Sequence, residues 1–230
     1  MTRLVCTALT LALLWASSAS PLAAAGHRYV FVVLRSGAEA AKKTPDERTQ
    51  IQAGHMANIG RLADEGVLLV AGPFGRPNPD PTRRGIFIFA VDSVDRARAL
   101  TNTDPGVQSG VFAMDLYPLE TESDLHVVQA ADRKVVAEAK AAGKDPNANY
   151  PMHNYTLAFV TGGERVSAAL TKAGALLVGR IGPDTWLAIL DAPDTARAEA
   201  LLAPVRAEID KADLSPWYAS ASLLVLARQH

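Results

Sequence analysis

His55 is the residue whose position in the sequence most strongly indicates chemistry. It opens the stretch 55–74, which has the pattern of a helix end, a glycine stop at Gly66, an apolar strand and a Gly-Pro turn. On a helical wheel, His55 falls about 40° from both Ile51 and Ile59, inside the apolar stripe. A histidine placed there can act as a general acid or base if a carboxylate fixes its tautomer.

Two carboxylates are candidates for that partner. Asp64 is nearer in the sequence, but nine helical residues place it about 13.5 Å along the axis and on the opposite face. Asp104 follows a second predicted helix that packs on the same sheet, so the sequence favours a His55–Asp104 pair. Arg48 lies two turns before His55 on the same side of the helix. It is a candidate for holding an anionic group of a substrate.

Both members of the pair also have a structural interpretation, which the sequence leaves open. A histidine on a core-facing stripe can be a packed residue whose nitrogens bond to backbone groups, and Asp104 can be the turn residue of an Asp-Pro-Gly sequence. The other histidines show no paired spacing of the kind that binds a metal, so no metal site is predicted. They are His27, His126, His153 and His230.

The elements that must position the pair follow from apolar runs and helix caps. The sequence Thr44-Pro45-Asp46-Glu47 combines an N-cap, a proline at the first helical position and a capping-box glutamate, and the helix should run to about Glu65. A second helix should begin at Asp92 or Ser93 and end at about Thr103. Strands are predicted at 29–34, 67–70, 85–91 and 111–119. The order βαββαβ is that of a ferredoxin-like fold, with both helices on one face of the sheet.

The same order restarts after a helical, Gly/Pro/Asn-containing linker at 120–152. Residues 170–182 mirror 62–74, and strands are predicted at 155–160, 185–191 and 216–226. A helix over 193–211 should be kinked or broken by Pro204. Two such sheets can pack face to face and cover each other's open face. The predicted fold is therefore α+β, with tandem ferredoxin-like repeats at 26–119 and 153–230 forming an intrachain, pseudo-dimeric α/β barrel.

The first repeat resembles the YciI-like (YCII-related) family. The resemblance rests on the spacing of Arg48 and His55, the helix-end Gly66, the strand that runs into Gly72-Pro73, and Asp104-Pro105 ahead of Gly110. It implies a ferredoxin-like fold that pairs into dimeric barrels and a catalytic His/Asp pair, carried here by His55 and Asp104. The second repeat departs from the pattern, because Gly163 occupies the histidine position and no Asp-Pro ends its second helix. One site per chain is expected, with Trp186, Trp217 and Tyr218 in the core or an interface.

The first 25 residues are predicted to be a signal peptide. Arg3 supplies a positive region, residues 4–16 an apolar region, and Ala23-x-Ala25 a cleavage site. Its removal would take away Cys6, the single cysteine, and Arg3, leaving 22 Lys+Arg against 24 Asp+Glu, a net charge of −2. The absence of a basic patch argues against nucleic acid or a membrane surface as a partner. A periplasmic or secreted protein is expected.

The function that these observations predict is a small-molecule enzyme without a bound cofactor. His55 would act as general base or acid, Asp104 would orient it, and the chemistry would be proton transfer, as in elimination, isomerisation or hydrolysis. The alternative is an exported small-molecule-binding or interaction module without turnover. A chain that is already a pseudo-dimer can be a monomer or can form a homodimer.

Overall fold

The structure is a computed structural model that describes residues 26–146, 148 and 150–229. The predicted signal peptide lies outside the described residues. The eight strands are β1 (His27–Ser36), β2 (Leu68–Pro73), β3 (Arg83–Phe89), β4 (Phe112–Thr121), β5 (Met152–Thr161), β6 (Leu177–Gly182), β7 (Thr185–Leu190) and β8 (Lys211–Ser220). The α-helices are α1 (Pro45–Asp64), α2 (Val94–Thr101), α3 (Pro105–Gln108), α4 (His126–Ala141), α5 (Arg165–Lys172) and α6 (Thr195–Leu202). Short 3-10 helices occupy Ala40–Lys42, Ala203–Glu208 and Ala221–Arg228.

The predicted α+β fold with two βαββαβ units is confirmed. The first unit comprises β1 to β4 with α1, α2 and α3, the second comprises β5 to β8 with α5 and α6, and α4 connects them. All strand pairs are antiparallel, and the sheet order is β2-β3-β1-β4-β6-β7-β5-β8. Each unit supplies four consecutive strands of one curved sheet.

The sheet almost closes into a barrel because its two end strands also meet. On one side β4 pairs with β6 through Glu120↔Arg180 and Thr121↔Gly179. On the other side β2 approaches β8 through a single bridge between Phe74 and Trp217. A Cβ on Gly72 would lie 2.3 Å from a β8 carbonyl oxygen, so only glycine permits this close approach.

The alternating side chains of the strands build separate cores inside and outside the barrel. On β1, Phe31 and Val33 point into the interior, where Phe31 meets Phe159 of the second unit at a ring separation of 5.9 Å. Val32 and Leu34 point outward and pack beneath the helices of the first unit. This is the face-to-face packing that the sequence predicts, and α1 therefore lies on the outside of the barrel.

Two predicted element boundaries are wrong. The last strand is Lys211–Ser220 rather than 216–226, because β5 offers partners only as far as Ser220. Beyond it the chain turns into a 3-10 helix that buries Leu223 and Leu226. The helix predicted over 193–211 is also too long, because α6 ends at Leu202, a 3-10 helix follows to Glu208, and Lys211 already belongs to β8.

The predicted break at Pro204 is present. Helix α6 ends at Leu202, and Pro204 lies in the 3-10 helix that follows. This position suits proline, which lacks the amide hydrogen needed inside an α-helix.

Candidate functional site

Helix α1, which carries His55, begins at a capping box and ends at a glycine stop. The Thr44 side chain accepts a hydrogen bond from the Glu47 backbone N–H at 3.3 Å, and the Glu47 carboxylate accepts one from the Thr44 N–H at 2.7 Å. Gly66 follows the helix with φ of +81°, a left-handed value that favours glycine. Between these ends His55, Asn58 and Leu62 are buried, as the wheel predicts for one face.

Asp104 is held in place by the start of the next helix. It is the N-cap of α3, and its Oδ1 accepts a hydrogen bond from the Gly106 N–H at 2.7 Å. Its second oxygen, Oδ2, lies 2.6 Å from Nδ1 of His55. The aspartate therefore combines the turn role and the partner role that the sequence offered as alternatives.

Aromatic rings hold the imidazole against this carboxylate. The His55 ring centre lies 4.9 Å from that of Phe112 and 6.0 Å from that of Phe87. Phe112 in turn abuts Gly106, where an added Cβ would come within 2.3 Å of its ring. The pair is buried, with relative exposures of 7% for His55 and 1% for Asp104, so its geometry is fixed by packing.

The hydrogen bond assigns different roles to the two ring nitrogens. A carboxylate accepts, so Nδ1 carries the proton and Nε2 has a free lone pair. Within the described part of the chain, Nε2 has no hydrogen-bond partner. His55 also lines a cavity of about 500 Å³, which gives the ring a space in which to meet a ligand.

The cavity beside His55 is largely apolar and carries one cation. Its walls come from α1, β2, β3 and single residues of β1, β4, β5 and β8, and its polar side chains besides His55 are Gln52, Arg84 and Tyr218. No Asp or Glu lines it. Arg84 is exposed, and its side chain forms no hydrogen bond or ion pair with the other described residues. The cavity thus has the composition of a site for a small, mainly apolar molecule with negative charge.

The structure brings His55 and Asp104 together but leaves Arg48 apart. Arg48 is exposed near the start of α1, and its Nε donates to the Lys43 carbonyl at 3.0 Å. It does not line the His55 cavity, and its role in substrate binding stays a prediction. Arg84, which sequence reasoning missed, lines the cavity instead. Its only sequence signal is a cation directly before a predicted strand.

Tyr218, predicted to lie in the core or an interface, lies outside the core, where residues of both units meet. It is 41% exposed and lines the His55 cavity from β8, whereas Trp217 beside it is buried in the barrel. Successive residues of a strand point to opposite faces, so one of the two must leave the interior. The second unit thereby contributes a side chain to the site of the first.

The second unit has no equivalent of the pair in the described residues. Gly163 precedes α5, whose eight residues are far fewer than the twenty of α1. A different pair, His153 and Asp191, is 2.8 Å apart, but both side chains are solvent-exposed and neither lines a described cavity.

The described residues show neither a cluster of metal ligands nor a membrane-spanning helix. Between residues 26 and 229, apart from 147 and 149, no three His, Cys, Asp or Glu side chains cluster closely enough to hold a metal ion. In the same part of the chain, no helix has the length and apolar character needed to cross a membrane.

Comparison with known proteins identifies the first unit and the fold. Residues 29–118 match the family model of the YCII-related domain. A mutant chlorite dismutase from Candidatus Nitrospira defluvii superposes with a TM-score of 0.53 at 8% identity, covering 88% of this chain and 95% of the other. A putative chlorite dismutase gives 0.51 at 12% identity, covering 88% and 98%. These similarities show the barrel fold and nothing further.

A smaller match involves only part of this chain. The 5-chloro-2-hydroxyhydroquinone dehydrochlorinase from Burkholderia phenoliruptrix AC1100, in complex with 2,5-dihydroxybenzoquinone, shares 20% identity over 38% of this chain and 89% of the other, with a TM-score of 0.28. That score is too low to carry an inference about activity. No curated protein matches the sequence.

Proposed function

Because residues 29–118 are a YCII-related domain, we propose that this protein is a small-molecule enzyme in which His55 transfers a proton. The observation that carries the proposal is the 2.6 Å contact between His55 Nδ1 and Asp104 Oδ2, made beside an open cavity. A buried carboxylate on Nδ1 makes Nε2 the basic nitrogen and stabilises the imidazolium that forms when a proton is taken.

The step that this arrangement supports is abstraction of a proton from carbon next to a carbonyl group. Nε2 takes the proton, and the electron pair of the broken C–H bond moves onto the carbonyl oxygen as an enolate. Arg84, which lines the same cavity, is the cation available to stabilise the charge that develops. Return of the proton at another atom completes an isomerisation, and expulsion of an anion from the neighbouring carbon completes an elimination.

The lining of the cavity favours this step over covalent hydrolysis. No Ser, Thr or Cys side chain lines the cavity, so among the described residues its only hydroxyl is the phenol of Tyr218, and no thiol lies there. The arrangement instead resembles a general base that acts directly on its substrate.

Hydrogen exchange in D₂O tests the proposal without knowledge of the physiological substrate. The protein is incubated with acetoacetate, 2-oxobutanoate and levulinate, and deuterium uptake beside each carbonyl is followed by NMR. We expect uptake from at least one acid to exceed the protein-free rate, and the excess to fall by about 10²–10⁴ in His55→Ala. His153→Ala, which changes an exposed His/Asp pair, is the matched control and should retain the excess.

The alternative of a binding module without turnover gives a different result. In that case the acids would bind while exchange stayed at the protein-free rate. A His55→Ala variant that fails to fold would also contradict the proposal, because it would make the histidine structural.

We also propose that the domain acts after export from the cytoplasm. The support is the charged, apolar and small-residue pattern of residues 1–25. Amino-terminal sequencing of the protein from a periplasmic or culture-medium fraction tests it, with a start near Gly26 expected and retention of Met1 contradicting the proposal.

A further inference from the structure

The His55 cavity adjoins a second and larger one. The second cavity has a volume of about 610 Å³ and lies between α1 and the connecting helix α4. The two cavities share four lining residues, which are Met56, Ile59, Ala71 and Met152. Two of these are methionines, whose flexible side chains adapt readily to a bound molecule.

Helix α1 runs along both cavities. Positions 52, 55, 56 and 59 line the His55 cavity, and positions 56, 59, 60, 63 and 64 line the larger one. These positions recur at intervals of three and four residues, so they form one stripe along the helix. From Met56 to Asp64 the stripe is about 12 Å long at the α-helical rise.

Helix α4 supplies the opposite wall with a matching stripe. We call the larger cavity between α1 and α4 the groove. It is lined by four α4 residues spaced four positions apart, Val128, Asp132, Val136 and Lys140. The helix is tied to α1 at one end, where Gln129 donates to the Ala63 carbonyl at 3.0 Å. This wall belongs to the segment that joins the two units, so it is a feature that the YCII-related domain at 29–118 does not itself contain.

From these observations we propose that the groove between α1 and α4 binds the apolar chain of the molecule whose anionic head lies at His55 and Arg84. This inference rests on the proposed function and adds the substrate class, a carboxylic acid or similar anion with an unbranched or flat apolar extension. The four lining residues that the two cavities share place the groove directly beside the His55 cavity. Its length matches that of an extended decanoyl chain.

The charges along the path fit such a molecule. The His55 cavity carries Arg84 and no acidic side chain, so an anionic head is favoured at that end. In the groove Asp132 already accepts hydrogen bonds from the hydroxyls of Tyr150 and Ser220, the latter at 2.6 Å. Its carboxylate is therefore bonded to protein hydroxyls. The other charged residues of the groove are Asp64, Arg133 and Lys140, and the remaining lining is mostly apolar.

A chain-length series tests the proposal. Butanoate, hexanoate, octanoate and decanoate are titrated into the full folded chain by calorimetry, while the His55 ring is observed by NMR and assigned with His55→Gln. We expect affinity to rise by about fourfold per added methylene, the factor for burying one CH₂, and to level off once the groove is filled. Affinity that does not change with chain length overturns the proposal.

Gly60 allows the groove to be blocked without disturbing the His55 cavity. It lines the groove only, and a Cβ built on it meets no atom within 4 Å. Gly60→Phe should therefore remove the gain from the longer chains and leave butanoate binding unchanged. Ala57→Phe is the matched control, since Ala57 is exposed on the same helix and lines neither cavity.

The outcomes separate this inference from the proposed function. Butanoate that fails to shift the His55 ring signals contradicts the anionic-head site, and this inference falls with it. If butanoate shifts those signals but decanoate binds no more tightly than butanoate, only the proposal that the groove binds the apolar chain is overturned. If Gly60→Phe and Ala57→Phe lower the affinity for decanoate equally, the groove proposal is also overturned. It is overturned as well if the protein is a dimer that Gly60→Phe dissociates, because a second copy would then occupy the groove.

Discussion

Replacement of Asp104 by asparagine tests the geometry of the pair with little change of shape. The Gly106 N–H donates to Oδ1 of Asp104 at 2.7 Å. In the variant the amide oxygen must take that position, because the opposite orientation would set two N–H donors against each other at a cost of about 1–3 kcal/mol. The asparagine NH₂ group then faces Nδ1 of His55, which must accept, and the ring proton moves to Nε2.

The expected consequence is loss of the base with retention of the fold. Removal of a positioned general base lowers the rate by about 10²–10⁴. The free energy of unfolding should fall by about 1 kcal/mol, the difference between a charge-assisted and a neutral hydrogen bond. Because the side chain of Asp104 is 1% exposed, water cannot replace the lost acceptor.

Three measurements on the same variant check this reasoning. Nitrogen-15 correlation spectra of the imidazole report which nitrogen of His55 carries the proton, denaturant unfolding reports the stability, and deuterium uptake reports the proton transfer. A variant that keeps the proton on Nδ1, or that exchanges at the wild-type rate, would refute the assignment of Asp104 as the residue that orients His55.

Two further predictions concern packing and pH. Gly106→Ala places a Cβ 2.3 Å from the Phe112 ring. Such overpacking should lower the free energy of unfolding, measured in denaturant, by about 1–3 kcal/mol. An unchanged unfolding midpoint would contradict the contact. Burial and then the hydrogen bond to Asp132 raise the pKa of Tyr150 to about 12, whereas the unfolded chain ionises near pH 10. The stability that comes from the neutral phenol is therefore complete below about pH 10 and is lost as the pH rises through 12. Tyrosinate absorbance should show this late titration, which Tyr150→Phe removes; a Tyr150 titration near pH 10 would contradict the burial.

The resemblance of the first repeat to the YCII-related family is confirmed. It could be seen in the sequence because the features that carry it are local. The capping box at Thr44, the stop at Gly66 and the apolar runs of the strands are each specified by residues close in the chain. The same signals placed His55 on the buried face of α1, where the structure has it. The last strand was misplaced because an apolar run does not show where its pairing partner ends.

The sequence by itself determined the two βαββαβ units, the buried face of α1 and the choice of Asp104 over Asp64, because helix periodicity and sheet topology restrict which side chains can meet. Only the tertiary structure decided which groups surround the pair. Arg84 and Tyr218 reach the His55 cavity from β3 and β8, and α4 forms the groove beside it. The physical reason is that these contacts depend on barrel closure, which brings together residues that no local pattern connects.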